Sequence, residues 1–335
     1  MRYFGVLPAV LMIGVSPARG FIALHSSQRL AQFNARHFAC CGAKMMQNEL
    51  NDDTSSSSST INTRSNANSD DSSNKTHRVV LLRHGQSTWN RDDIHIGWTD
   101  VPLTEAGEEE ARAAGRALRR EGFEFDIVFA SVLQRVLKTE HIVMDELDQL
   151  WVPEVKDWRL NERHYGDLIG KTKREAEEAF GAKNVALWAS SYDIPPDPMS
   201  TDGRYYPKDD RRYQSLVDEN GMCTIPRTEC MKDVSKRVVG YWEEEIVPAV
   251  RSGKRVLVAG HANMLKALLQ KLDGIPDSVI VGMSVPRATP MVYELDDDMK
   301  PVRSPDPLTL LCAEILSVDR EPASTEVVRA EVNAF

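Results

Sequence analysis

A strand-length run, RVVLL at 78–82, ends in Arg83-His84-Gly85, and a second, KRVLVA at 254–259, is followed two residues later by His261. A histidine beside an arginine, with a glycine next, suits phosphoryl transfer. The neutral imidazole attacks phosphorus while the guanidinium fork neutralises the equatorial oxygens. Such chemistry requires no metal. Arg-His-Gly on its own is a weak signal, equally at home in an ordinary loop; its place after an apolar run and the second histidine in the same kind of position are what raise it.

The elements that must position these two histidines can be read from periodicity. Thr104 caps a helix with Gly107, Ala111, Ala114 and Leu118 on one face, and FDIVFA at 125–130 is a second strand. Ser131 with Gln134 reads as a capping box for a helix striped by Val132, Val136, Val143 and Leu147. Residues 152–155 form a possible third strand; helical spacing returns at Val234, Val238, Trp242 and Ile246, a helix follows over 263–272, and 290–295 is a last strand. Alternating strands and helices predict an α/β fold, a doubly wound and mostly parallel sheet flanked by helices, with a site-covering insertion at about 158–228. Ligands of such sheets sit beyond the carboxyl ends of the strands, where His84 and His261 fall.

The chain has 335 residues, 41% hydrophobic and 27% charged, with net charge −9. That mixture excludes a collagen, a coiled coil or a fully disordered chain. Residues 1–48 carry Arg2, Arg19, Arg29, Arg36 and Lys44 and no acid, so the rest is more acidic than the whole. Such a body does not hold nucleic acid non-specifically, and an anionic substrate must meet a local basic cluster. The five cysteines form no CxxC pair, which argues against a zinc site or a disulfide framework, and the acids at 92–93 and 296–298 lack ligand spacing. Residues 3–15 are an apolar run too short to span a bilayer, fitting a signal segment over 1–20 cleaved near Gly20–Phe21. The stretch 21–50, basic and free of acid over 21–44, fits a transit segment, so the expected address is a plastid, with a mitochondrion as the alternative, and the mature form stays off the membrane. Residues 51–76 hold nine Ser, five Asn, four Asp and four Thr and read as a disordered linker before a domain over 77–303 and a tail over 304–335.

Seven stretches in order, RHGQSTWN, GWTDVPLTEAG, FEFDIVFASVLQR, DWRLNERHYGDLIGKTKREA, SYDIPP, KDDRRY and VLVAGHAN, resemble the cofactor-dependent phosphoglycerate mutases of the histidine phosphatase superfamily. The resemblance implies that His84 becomes phosphohistidine, that Arg83 and Arg135 hold the transferring group, that His261 stabilises its transition state, and that Glu162 is the general acid and base. It assigns Arg163, Tyr165, Lys173, Arg211, Arg212 and Asn263 to the substrate carboxylate and second phosphate, and lines the site with Ser87, Asn90 and Gly97 and with the backbone N–H groups of Ile96 and Ala262. It further implies a metal-free isomerase of 3- and 2-phosphoglycerate primed by 2,3-bisphosphoglycerate, and a homodimer or homotetramer. A phosphatase of the same superfamily is the rival reading, and a non-catalytic phospho-ligand scaffold a third.

Taken alone, Arg211–Arg212 beside Asp209–Asp210 also reads as a solvated surface run, and Glu162 as a surface carboxylate. His95, His141 and His164 read as structural or exposed. Three departures from the resemblance stand out: Ile94-His95-Ile96 replaces a pattern ending in a hydroxyl residue, Ala262 replaces a glycine, and the tail from Ser304, with six acids and two arginines, resembles no family tail. In the family the tail helps exclude water, so these departures bear on mutase against phosphatase partitioning.

Overall fold

The computed structural model describes residues 76–222, 224–306 and 311–319. The segments read as signal, transit and linker, save Thr76, lie outside the described residues. Within them, no helix is long and apolar enough to cross a membrane.

Strands β1 (His77–Arg83), β2 (Ile127–Ala130), β3 (Glu154–Lys156), β4 (Val256–Gly260), β5 (Met291–Leu295) and β6 (Glu314–Ile315) make one sheet in the order β3-β2-β4-β1-β5-β6. The first four are parallel, while β5 runs antiparallel to β1 and β6 antiparallel to β5. The helices of eight residues or more are α1 (Glu105–Arg120), α2 (Gln134–Glu146), α3 (Lys173–Phe180), α4 (Ala182–Ser190), α5 (Met231–Tyr241) and α6 (Ala262–Asp273). The alternation of β1 sets the layers. Val79 and Leu81 pack with α5 and α6 on one face, Val80 and Leu82 with α1 and α2 on the other. Successive strand side chains point to opposite faces, so a stretch covered on both sides must be apolar throughout, as residues 79–82 of β1 are.

The α/β architecture is as the periodicity predicts, with local differences. The last strand is antiparallel, because apolar runs carry no signal of direction. The tail does not simply leave the domain at 303: β6 returns to pair with β5, and Arg303 meets Glu314 at 2.6 Å. The third strand starts at Glu154. The helix after β2 starts at Gln134 with Leu133 as its N-cap and no side-chain cap; the Ser131 hydroxyl is engaged elsewhere. The 158–228 segment contributes α3, α4 and several single 3-10 turns.

Candidate active site

Parallel pairing of Arg83 with Gly260 brings the ends of β1 and β4 level, and the His84 N–H donates to the Gly260 carbonyl at 3.0 Å. The two histidine rings thereby meet edge to face, 5.1 Å between centroids. Gly85 is required by a close approach: a Cβ there would lie 2.2 Å from the Gly107 carbonyl oxygen in the first turn of α1. The loop is fastened by the Gly85 N–H to Thr139 Oγ1 (3.0 Å) and the Gln86 N–H to Glu110 Oε2 (2.8 Å).

His84 Nδ1 lies 2.6 Å from the Gly85 carbonyl. A carbonyl only accepts, so Nδ1 carries the proton and Nε2 keeps the lone pair that a nucleophile needs. Burial first, then the Arg135 and Arg83 guanidiniums, hold its pKa well below that of an ordinary histidine. The ring is therefore neutral at physiological pH.

Arg135, fully buried, donates to the Thr99 and Gly97 carbonyls at 2.8 and 2.9 Å, and its Nε has no partner. Burial lowers its pKa to about 10, which leaves it charged at neutral pH. Arg83 Nη1 donates to the Val285 carbonyl at 2.5 Å. Two guanidiniums thus converge near one imidazole in a site shielded from water, where charge-assisted contacts to a phosphoryl group are strong.

His261, the N-cap residue of α6, is buried, and burial and Arg135 hold its pKa well below normal. Its Nε2 lies 2.8 Å from Ser131 Oγ, which is 3.0 Å from Asn161 Oδ1; Asn161 Nδ2 in turn donates to the Tyr213 hydroxyl at 3.0 Å. Asn161 Oδ1 can only accept, so Ser131 donates to it and accepts from His261 Nε2–H. Ser131 is therefore no capping-box residue: its hydroxyl orients a histidine. His261 Nδ1 is buried without a hydrogen-bond partner.

Glu162 Oε1 accepts from the Arg163 N–H (2.7 Å) and from Asn263 Nδ2 (3.0 Å), which also donates to the Tyr165 hydroxyl (2.7 Å). The loop carrying it is anchored by Arg237, which donates to the carbonyls of Arg159, Asn161 and Glu162 and forms a buried ion pair with Glu229 at 2.7 Å. Arg237→Ala leaves the Glu229 carboxylate buried and unpaired. We expect a loss of roughly 3–5 kcal/mol in denaturant unfolding, since removing one partner of a buried pair costs that much. A loss below 1 kcal/mol would show that the pair does not hold the loop.

A cavity of about 170 Å³ opens at this point, lined by Arg83, His84, Arg135, Glu162, Asn90, Ile96, Tyr165 and Ala262 from the expected set, and by Asp93, Ile94 and His95. It is smaller than the roughly 300–1,000 Å³ of drug-sized ligand sites. A phosphoryl head fits within it, with the rest of a substrate at the mouth. Ala262 stands at the first position of α6, where helix N–H groups lack intrahelical partners and favour an anion.

A family model of the histidine phosphatase superfamily, branch 1, matches residues 79–220 and 200–304. The chain belongs to the histidine phosphatase superfamily. Among solved structures it is similar to YhfR of Bacillus stearothermophilus, at 25% identity and TM-score 0.50 over 65% of this chain and 91% of that one. It is also similar to the α-ribazole phosphatase of Shigella flexneri, at 20% identity and TM-score 0.51 over 72% and 100%. The native mycobacterial glucosyl-3-phosphoglycerate phosphatase matches at 19% identity and TM-score 0.50 over 73% and 100%. At these identities the last two likenesses establish the fold alone.

Other expected residues of this superfamily member stand behind the lining or away from it. Ser87 and Asn90 form a capping box with each other around the turn Thr88–Arg91, Ser87 behind the cavity wall and Asn90 on it. Gly97, at φ +54°, offers its carbonyl to Arg135, and Asn263 supports Glu162 rather than lining the cavity. Arg163 is spent on the Glu229 and Trp188 carbonyls, behind Tyr165. Lys173 is 71% exposed and faces Glu177 at 4.0 Å. Arg212 is bound by Asp210 and by Asp100 at 2.6 Å, and Arg211 is exposed. The second anion clamp expected from the resemblance is thus not assembled around the cavity. Ser131, Asn161, Tyr213 and Arg237 were missed: each works through a partner far along the chain, and nothing in the neighbouring sequence marks it. His95, which reads as structural or exposed in the sequence, bonds the Lys171 carbonyl through Nδ1 at 2.9 Å, and its ring also lines the cavity.

Proposed function

We propose that the protein is a phosphatase that transfers the phosphoryl group of a small monoester to His84 and then to water. The observation that carries this reading is the distribution of cations: Arg83 and Arg135 line the cavity, while Lys173, Arg211 and Arg212 lie outside it. One phosphate is provided for and a second is not. The mouth offers Asp93, Ile94, His95 and Tyr165, which suits a leaving group that is uncharged or hydroxylated rather than phosphorylated. For the same reason the residues present do not fit 2,3-bisphosphoglycerate as a primer. Two solved structures similar in fold are phosphatases, which agrees with the proposal.

In this mechanism His84 Nε2 attacks phosphorus as the ester oxygen leaves, taking a proton from the Glu162 carboxylic acid. Arg83 and Arg135 hold the non-bridging oxygens. His261, fixed through Ser131 and packed edge-on against His84, holds the attacking ring in place. Water next attacks the phosphohistidine, gives its proton to the Glu162 carboxylate, and releases phosphate and free His84.

The test uses the full chain with a panel of phosphomonoesters, including 3-phosphoglycerate with and without 2,3-bisphosphoglycerate, scoring phosphate release and isomer formation separately. We expect unprimed phosphate release, unchanged within about 2-fold in the Lys173→Ala/Arg211→Ala variant, since neither side chain is in the cavity. The mutase reading, which rests on the run of matching motifs, expects the opposite. Primed isomerisation that falls about 10²-fold in that variant, as losing two charge-assisted contacts implies, would restore it.

A further inference from the structure

The unshared edge of the sheet carries a cluster that the phosphoryl chemistry does not use. Glu140 and His141, adjacent on α2, meet Glu154 at the start of β3. His141 Nε2 lies 3.5 Å from Glu140 Oε2 and 3.6 Å from Glu154 Oε2, and one ligating atom from each residue falls within a 4.8 Å circle. The Glu140 side chain is only 4% exposed, yet its Oε2 has no hydrogen-bond partner, and Glu154 Oε1 is likewise buried and unpartnered. Buried carboxylate oxygens without partners are costly, and two facing one another are more so. Lys156 is the one ammonium at hand. It takes Glu154 Oε2 at 2.6 Å from a half-exposed position, while Glu140 Oε2 is left without a hydrogen bond.

We propose that Glu140, His141 and Glu154 bind a divalent zinc-class cation that clips α2 to β3. Zinc holds imidazole nitrogen at about 2.0–2.1 Å and carboxylate oxygen at about 2.0–2.2 Å in a tetrahedron, which sets neighbouring ligand atoms roughly 3.3–3.5 Å apart. The two distances from His141 are close to that edge before any adjustment. One imidazole with two carboxylates suits zinc better than calcium or magnesium, which take all-oxygen shells. The fourth position falls on the solvent side, where His141 is 55% exposed. The acids at 92–93 and 296–298 gave no ligand spacing in the sequence; this site joins residues brought together only when the helix packs on the edge strand. Its role is structural, since α2 also supplies Arg135 and Thr139 to the His84 loop.

The experiment is metal titration of the full chain after dialysis against a chelator, with cobalt as the spectroscopic probe and zinc by calorimetry. We expect one equivalent per chain, visible ligand-field bands of a four-coordinate cobalt site that zinc displaces, and a rise in melting temperature with zinc. His141→Ala, a half-exposed position that tolerates truncation, and Glu154→Gln should each weaken binding by at least the roughly 10–100-fold that loss of an outer-shell partner costs. His84→Ala should leave binding intact. No saturable binding at micromolar zinc, binding that survives both edge variants, or binding lost with His84 would each overturn the proposal.

Discussion

The His84→Ala variant should form no phosphoenzyme and lose turnover by on the order of 10⁴–10⁶-fold, the scale seen when a catalytic nucleophile is removed. The reasoning is geometric. Two lining imidazoles commit Nδ1 to a carbonyl and leave Nε2 bare, His84 on Gly85 and His95 on Lys171, and His84 is the one that Arg135 and Arg83 flank. His261 cannot substitute, since it is not among the lining residues and its ring is packed edge-on against His84. The arginines and Glu162 stay in place in the variant, so binding of a phosphate ester should persist and the loss should fall on kcat. Labelled phosphate transferred to wild-type protein should be acid-labile and alkali-stable. Label of that kind on the variant would refute the assignment of the nucleophile.

Acid should unfold this domain earlier than its overall acidity suggests. His84 and His261 have pKa values well below normal, and burial lowers His164 to about 4. In the unfolded chain each returns to about 6.5. The unfolded state therefore binds more protons below pH 6.5, and stability falls as pH falls through that value. From pH 7 to pH 5 His164, at about 4 in the fold, costs about 2 kcal/mol, and His84 and His261 add losses of the same sign. Glu140 works in the other direction. Burial and Glu154 raise its carboxyl to about 8, so it is most stabilising when protonated and favours the fold by roughly 3 kcal/mol at pH 5 relative to pH 7. Three histidines work against one carboxyl, so a net loss of stability on acidification is the expected result. Urea unfolding of chelator-treated protein at pH 7, 6 and 5 measures this directly. In His164→Asn, which keeps an acceptor for the Gly166 N–H, the loss should shrink by about 2 kcal/mol. Stability that is flat or rises on acidification would contradict the neutral burial of these rings.

What the sequence made legible were features encoded by neighbours. RVVLL needs two covered faces, Thr104 lies three residues before the Gly107 N–H that it caps, and both histidines stand one step past a strand. Arg135 and Glu162 are legible only because whole motifs match a known pattern; no periodicity singles them out. What remained hidden depends on distant partners. Ser131 has the local spacing of a capping box, but its hydroxyl is claimed by His261 and Asn161. Arg212 sits in a basic pair that could have faced a substrate, yet Asp100 and Asp210 take it, in line with the surface-run reading of the same residues. The direction of β5 and the return of the tail as β6 follow from sheet pairing that leaves no trace in either strand alone.

The level pairing of β1 with β4 also fixes when this chain can become active. His84 lies near the start of the folded body and His261 near its end, and their juxtaposition exists only through the Arg83–Gly260 rung. Contacts between such distant segments form slowly, because a long loop must close before they are rewarded. During synthesis the nucleophile emerges early but stays without its partner until β4 has left the ribosome and inserted between β2 and β1. A chain interrupted before that point carries Arg-His-Gly without the β4 rung, and without the burial that holds its pKa down. Catalytic competence therefore waits on the insertion of β4, and chains that stop before it are chemically silent.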